Sequence, residues 1–196
     1  MLAAPPPIVL GLAYLLGSIP FGAIIAKRRG IDIQETGSGN IGATNVARTL
    51  GKKTGAVVLL LDAAKGAAAV ALAHAAGTPD PGWLPMASGF AAVVGHCFPV
   101  WLRFHGGKGV ATSLGVFVVI EPLACAVSTG IFALVYGVFR IAAVGSLVAA
   151  AAFPLVLAAM GHPRAGVLFA ALLGVVILIR HRDNLQRLAA GTENKV

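Results

Sequence analysis

Three stretches of this chain carry residue types that could hold anions and bring them to react. The first runs Gly37-Ser38-Gly39-Asn40-Ile41-Gly42-Ala43-Thr44-Asn45-Val46-Ala47-Arg48, with three glycines at near-alternating positions. Glycine lets the backbone approach a ligand closely, and successive N–H groups can then point at one anion. From about Ala43 onward the pattern reads as helix, so the loop also delivers a helix N-terminus to that anion. Ser38, Thr44 and Asn45 add neutral donors, and Arg48 adds a planar fork that suits phosphate. No GK[ST] closes the loop, so it is not a Walker A motif. A glycine linker has little use for Asn, Thr, Asn and Arg at these places.

The second stretch, His96 to Thr112, contains Gly106-Gly107-Lys108-Gly109 directly before an apolar run. That order describes a permissive backbone, a point charge and a helix start, again a phosphate cradle. Taken alone it is weak, because Lys108 could equally be a snorkelling interfacial cation and His96 a hydrogen-bonded interhelical histidine. The third stretch, His181 to Lys195, puts His181, Asn184 and Leu188 on one helical face, with Arg180, Asn184 and Arg187 on another. A solvated basic tail anchoring the last apolar run explains it as well. Asp62 and Lys65 stand three residues apart inside an apolar run, so they can pair on one face. Ionisable residues there are costly, and they either support a site or pair structurally.

The elements that must position these segments are membrane helices. Of 196 residues, 58% are apolar and only 11% charged, with a mean hydropathy of +0.88. Soluble domains carry about 25% charged residues. The expected fold is an all-α, polytopic membrane helical bundle forming one domain over residues 1–196. Spans are expected near 6–26, 54–76, 85–103, 110–121, 123–139, 143–161 and 165–180, about seven in all. The stretch 110–139 reads either as one long helix or as two broken at Glu121-Pro122.

Thirteen of the fifteen basic residues fall in loops on one side; Arg164 lies opposite and Lys65 inside a span. The positive-inside rule then places the N-terminus outside and the C-terminus in the cytoplasm. It also accounts for the net charge of +8 without nucleic acid. The first apolar run is followed, not preceded, by Lys27, Arg28 and Arg29, the layout of a first span rather than of a cleaved leader. Cys97 and Cys125 sit in apolar context with no CxxC or zinc spacing, which supports neither redox chemistry nor a metal. No repeat period is visible.

No GxSxG elbow is present. The His-x-x-x-x-Asp motif of common glycerolipid acyltransferases and the D-x-x-D-G-x-x-A-R pattern of alcohol phosphatidyltransferases are missing too. What is present resembles, in order and spacing, the signature segments of the bacterial acyl-phosphate:glycerol-3-phosphate acyltransferases, the PlsY family. The matching runs are GSGNIGATNVARTLG from Gly37 to Gly51, HCFPVWLRFHGGKGVAT from His96 to Thr112, and HRDNLQRLAAGTENK from His181 to Lys195. Leu61-Asp62-x-x-Lys65-Gly66 also fits, and the one departure is Asp183, where Glu is commoner and the charge is kept.

The resemblance implies transfer of a fatty acyl group from acyl phosphate to the sn-1 hydroxyl of glycerol 3-phosphate. The products would be lysophosphatidic acid and inorganic phosphate. By the same resemblance Ser38, Arg48, His181 and Asn184 are expected in catalysis. Substrate binding is expected of Gly39, Asn40, Thr44, Asn45, His96, Gly106, Gly107, Lys108, Gly109 and Thr112, with Asp62 and Lys65 as site support. Glu193 looks like a structural cap of the third segment. No metal and no cofactor is implied. The expected setting is the bacterial inner membrane, with the site facing the cytoplasm, membrane lipid around it and a separate enzyme supplying acyl phosphate. The rival reading is a small permease for a phosphorylated solute, favoured by Glu121-Pro122 and Asp62/Lys65; a non-catalytic scaffold is a third.

Overall fold

A computed structural model describes residues 4–76 and 82–195, and every regular element among them is helical. Two compact units divide the chain, the first ending at Ile120 and the second beginning at Glu121.

The first unit contains α1 (Pro6–Ser18), α2 (Phe21–Lys27), α3 (Ala43–Leu50), α4 (Lys52–Ala75), α5 (Leu84–Cys97) and α6 (Val110–Ile120). Pro20, which lacks an N–H, breaks the first expected span into α1 and α2. Glycines decide how closely the helices approach. A Cβ on Gly17 or Gly95 would overlap the facing backbone of α5 or α1, and one on Gly66 or Gly115 the facing backbone of α6 or α4. In lipid, association rests on such close backbone contact, because the apolar surroundings supply no hydrophobic drive between helices. Between α5 and α6 the chain makes a short 3-10 turn, Val100–Leu102. Tyr14 of α1 donates a 2.8 Å hydrogen bond to the Phe98 carbonyl at the end of α5.

The second unit comprises α7 (Pro122–Phe139), α8 (Ala142–Ala159), α9 (Arg164–Arg180) and α10 (Arg182–Ala189). Here α8 packs against both α7 and α9. The ambiguous stretch 110–139 is two helices. Glu121 leaves helical geometry and Pro122 starts the next helix, where a missing N–H costs nothing.

Among the described residues, five helical stretches are long and apolar enough to cross a membrane: Pro6–Lys27, α4, Leu84–Leu102, α7 and α8. The pair α9–α10, bent by 59°, makes a sixth if counted as one. With 11 residues, α6 is about 16 Å long, against about 30 Å of hydrocarbon. The seven expected apolar segments are therefore all helical: five are of full length, α6 is short, and α9, with 17 residues, reaches spanning length only together with α10. Exposed leucines at mid-helix, such as Leu60, Leu134 and Leu155 at 68–71%, are lipid-facing positions in a multi-pass membrane protein.

Candidate functional site

In the first polar segment the helix begins where the sequence indicated, at Ala43, with Gly42 as the cap. Gly37 and Gly39 have φ of 63° and 69°, backbone that side chains rarely adopt. The loop is nevertheless built differently from a simple amide cradle. The Ser38 N–H donates to Asn45 Oδ1 at 2.9 Å and the Gly42 N–H to Asn40 Oδ1 at 2.9 Å. The Gly39 N–H goes to the Thr36 carbonyl at 3.1 Å. Three amides expected to face an anion are thus used inside the loop. Ala43 and Thr44, on the first turn of α3, have no acceptor within their own helix.

Asn45 is the organiser of this loop. It is 2% exposed. Its side-chain NH2 donates to the carbonyls of Ile33, Thr36 and Asn40 at 2.9–3.2 Å while its carbonyl holds Ser38. A side chain on Gly37 would overlap Asn45 Oδ1. Expected among the substrate-binding residues, Asn45 faces inward with both ends of its amide engaged. Ser38, Gly39, Asn40 and Arg48 are half-buried and Thr44 is exposed.

The second segment folds back on the end of α5. The Gly106 N–H donates to the Cys97 carbonyl at 3.2 Å and the Gly107 N–H to the His96 carbonyl at 3.0 Å. Neither glycine tolerates a Cβ: at Gly106 it would overlap the His96 carbonyl and Pro99, at Gly107 the His96 imidazole. Here too close approach, rather than an open cradle, is what glycine allows. Gly109 has φ 83° and hands over to α6 at Val110, leaving Lys108 half-buried just ahead of that helix. Thr112, expected among the substrate-binding residues, lies at a helix crossing. It is fully buried where α6 crosses Gly66 of α4, so that the helix crossing, not the loop, surrounds it.

The two segments meet. Gln34 Nε2 donates to the His105 carbonyl at 3.1 Å, tying the approach to the first loop to the second across 71 residues. Sequence reasoning missed Gln34, which carries no motif signal beyond lying just before Gly37. Beneath the second segment lie Asp62 and Lys65, paired at 2.8 Å and almost fully buried. Lys65 Nζ also donates to the Ile19 carbonyl at the break between α1 and α2, at 2.8 Å. His96 Nδ1 stands 3.6 Å from the same Asp62 oxygen, which is electrostatic contact rather than a full hydrogen bond.

In the second unit, His181 lies at the bend between α9 and α10, 2% exposed, with Asn184 4% exposed on α10. His181 Nδ1 is 2.8 Å from the Ile177 carbonyl. A carbonyl only accepts, so Nδ1 carries a proton, and in the neutral tautomer Nε2 is the ring atom able to accept one. Arg187 donates to Glu193 at 2.8 Å, and the Glu193 side chain is 3% exposed, consistent with a cap on the end of this segment.

Apolar helices of spanning length, with glycine-rich, cation-bearing loops between them, define a multi-pass integral membrane protein. The sequence profile of one family, described as glycerol-3-phosphate acyltransferase, matches residues 7–191. The chain belongs to that family. It is 44% identical over 188 residues to the glycerol-3-phosphate acyltransferase of Geobacter sulfurreducens, covering 96% of each. Against that of Myxococcus xanthus it is 49% identical over 187 residues, covering 94% of this chain and 96% of the relative. The crystal structure of PlsY (YgiH), an integral membrane glycerol 3-phosphate acyltransferase, in its glycerol 3-phosphate form superposes with a TM-score of 0.92 at 39% identity. That match covers 97% of this chain and 95% of that one. The lysophosphatidic acid form of the same enzyme gives 0.88.

Proposed function

We propose that this chain transfers a fatty acyl group from acyl phosphate to the sn-1 hydroxyl of glycerol 3-phosphate, releasing lysophosphatidic acid and inorganic phosphate. The whole chain acts as one enzyme, since the family match runs through both units. The observation that supports the reading most is the joining of two glycine-rich loops, one bearing Arg48 and the other Lys108, through Gln34 and His105. Two substrates that each carry phosphate repel one another, and two cations held by one loop assembly offset that repulsion. Glycerol 3-phosphate as acceptor is in keeping with the relatives' names and with the glycerol 3-phosphate form of PlsY, and the proposed product with its lysophosphatidic acid form.

Acyl phosphate is a mixed anhydride, so no covalent enzyme intermediate is required. The glycerol oxygen forms a bond to the acyl carbon. The bond from that carbon to the phosphate oxygen breaks, and phosphate leaves with the electron pair. The hydroxyl proton passes to the departing phosphate. Ser38 and the first-turn amides of α3 stabilise the oxyanion, Arg48 and Lys108 hold the phosphates, and Thr44 and Asn40 help to orient them. His181 and Asn184 take part in the same reaction, with His181 Nε2 the competing proton acceptor. The acyl chain runs along apolar helix surface open to the bilayer. The N-terminus is outside and the polar loops face the cytoplasm of a bacterial inner membrane, where a separate enzyme supplies acyl phosphate.

Purified protein given acyl phosphate and glycerol 3-phosphate is expected to yield lysophosphatidic acid and phosphate in equal amounts, and none with an acyl thioester as donor. Product from the thioester alone would reassign the donor. No product with either donor, together with saturable glycerol 3-phosphate uptake into proteoliposomes, would make the protein a permease.

A further inference from the structure

Two charged residues inside a membrane span are kept only where something requires them. Asp62 and Lys65 of α4 are 2% and 3% exposed, and their surroundings extend beyond a simple pair. Lys65 Nζ reaches both Asp62 and the Ile19 carbonyl, each at 2.8 Å, and stands 5.8 Å from the centre of the Phe21 ring. Asp62 reaches on to His96 Nδ1 at 3.6 Å. The opposite side of that imidazole abuts Gly107, where a Cβ would overlap Nε2, and the His96 carbonyl accepts the Gly107 N–H at 3.0 Å. Ring and backbone of His96 therefore both fix Gly107, the residue before Lys108.

We propose that Asp62, Lys65 and His96 form one buried electrostatic bracket that sets the position of the Gly106–Lys108 turn, and so tunes glycerol 3-phosphate binding without touching the substrate. This rests on the reading of Lys108 as a glycerol 3-phosphate ligand. The three are positioning residues. A pair serving only to hold α4 in place would be indifferent to His96, whereas here the carboxylate is shared between the lysine and the histidine, and the histidine carries the glycine turn.

The design of the test follows from the cost of an orphaned charge. Asp62→Asn alone strands Lys65 and is expected to lower folded yield, while the apolar double variant D62L/K65M removes both charges together and is expected to fold. Folded D62L/K65M should raise the KM for glycerol 3-phosphate at least about tenfold, with kcat and the KM for acyl phosphate within about threefold of wild type. H96A, which leaves the ion pair intact, should do the same, and H96Q should recover part of the loss. Wild-type KM for glycerol 3-phosphate in either folded variant, or an equal rise for both substrates, overturns the proposal. So does failure of both D62L/K65M and H96A to fold, which would make the cluster purely structural. Calorimetric binding of glycerol 3-phosphate separates this inference from the proposed reaction. Wild-type protein that binds it but transfers no acyl group removes the reaction alone, and unchanged affinity in the variants removes the bracket.

Discussion

Asn45 shows how one buried side chain can shape a loop from within. Its NH2 faces three carbonyl oxygens, so Asn45→Asp would set a carboxylate against them, while Asn45→Ala merely leaves them unmet. Each unmet buried group costs about 1–3 kcal/mol. N45D should therefore melt below N45A in detergent, and both should lose at least about tenfold in kcat/KM; N45D melting at or above N45A would contradict the assignment. Arg48→Ala is expected to abolish nearly all turnover, by about 10³-fold, the size typical of a lost electrostatic stabiliser. His181→Gln should cost much less if phosphate takes the proton. The pH dependence of kcat/KM decides this: an acid-side limb present in wild type and absent in H181Q would give the proton to His181 instead.

Helix contacts in the first unit depend on missing side chains rather than on interlocking large ones. Gly115 lies on the Ala63 carbonyl of α4, and Gly66 lies on Thr112 of α6, so the α4–α6 crossing is set from both sides. Gly115→Leu should force the helices apart and destabilise by roughly 1–3 kcal/mol, the usual cost of overpacking. Gly130 of α7 has nothing within 4 Å of where its Cβ would stand. Gly130→Ala should thus be neutral or slightly stabilising, through better helix propensity. Thermal unfolding of the two variants side by side checks the contrast, and equal melting temperatures would dissociate glycine from helix approach. Because α6 starts directly after Gly109, the same crossing also anchors the far end of the Lys108 turn.

For the molecule in its membrane, the proposed orientation rests on charge. Arg164 lies alone on one side in the positive-inside reading, and Lys195 lies with the basic majority. Both are exposed, and the native Cys97 and Cys125 are buried, so introduced thiols can be read against a low background. A membrane-impermeant maleimide should label R164C in intact cells and K195C only after permeabilisation. The reverse pattern would put the polar loops outside and cut them off from a cytoplasmic acyl donor.

Membrane class, all-helical fold and the three polar segments were legible in the chain itself, because each rests on local physics: apolar runs of spanning length and glycines clustered with donors. The break at Pro122 was one of two readings of its stretch, and that at Pro20 came only with the structure. The helix start at Ala43 was legible for the same reason. What those glycines do was not. Near-alternating spacing suggested amides turned toward an anion, whereas Gly37, Gly106 and Gly107 make room for Asn45, His96 and Pro99, and several of the amides bond within the loops. The separations of 34 positions from Asp62 to His96 and 71 from Gln34 to His105 carry no periodic signal that would pair them. Such contacts depend on the register in which α4, α5 and α6 pack, and that register is decided by backbone approach at small residues scattered along separate helices.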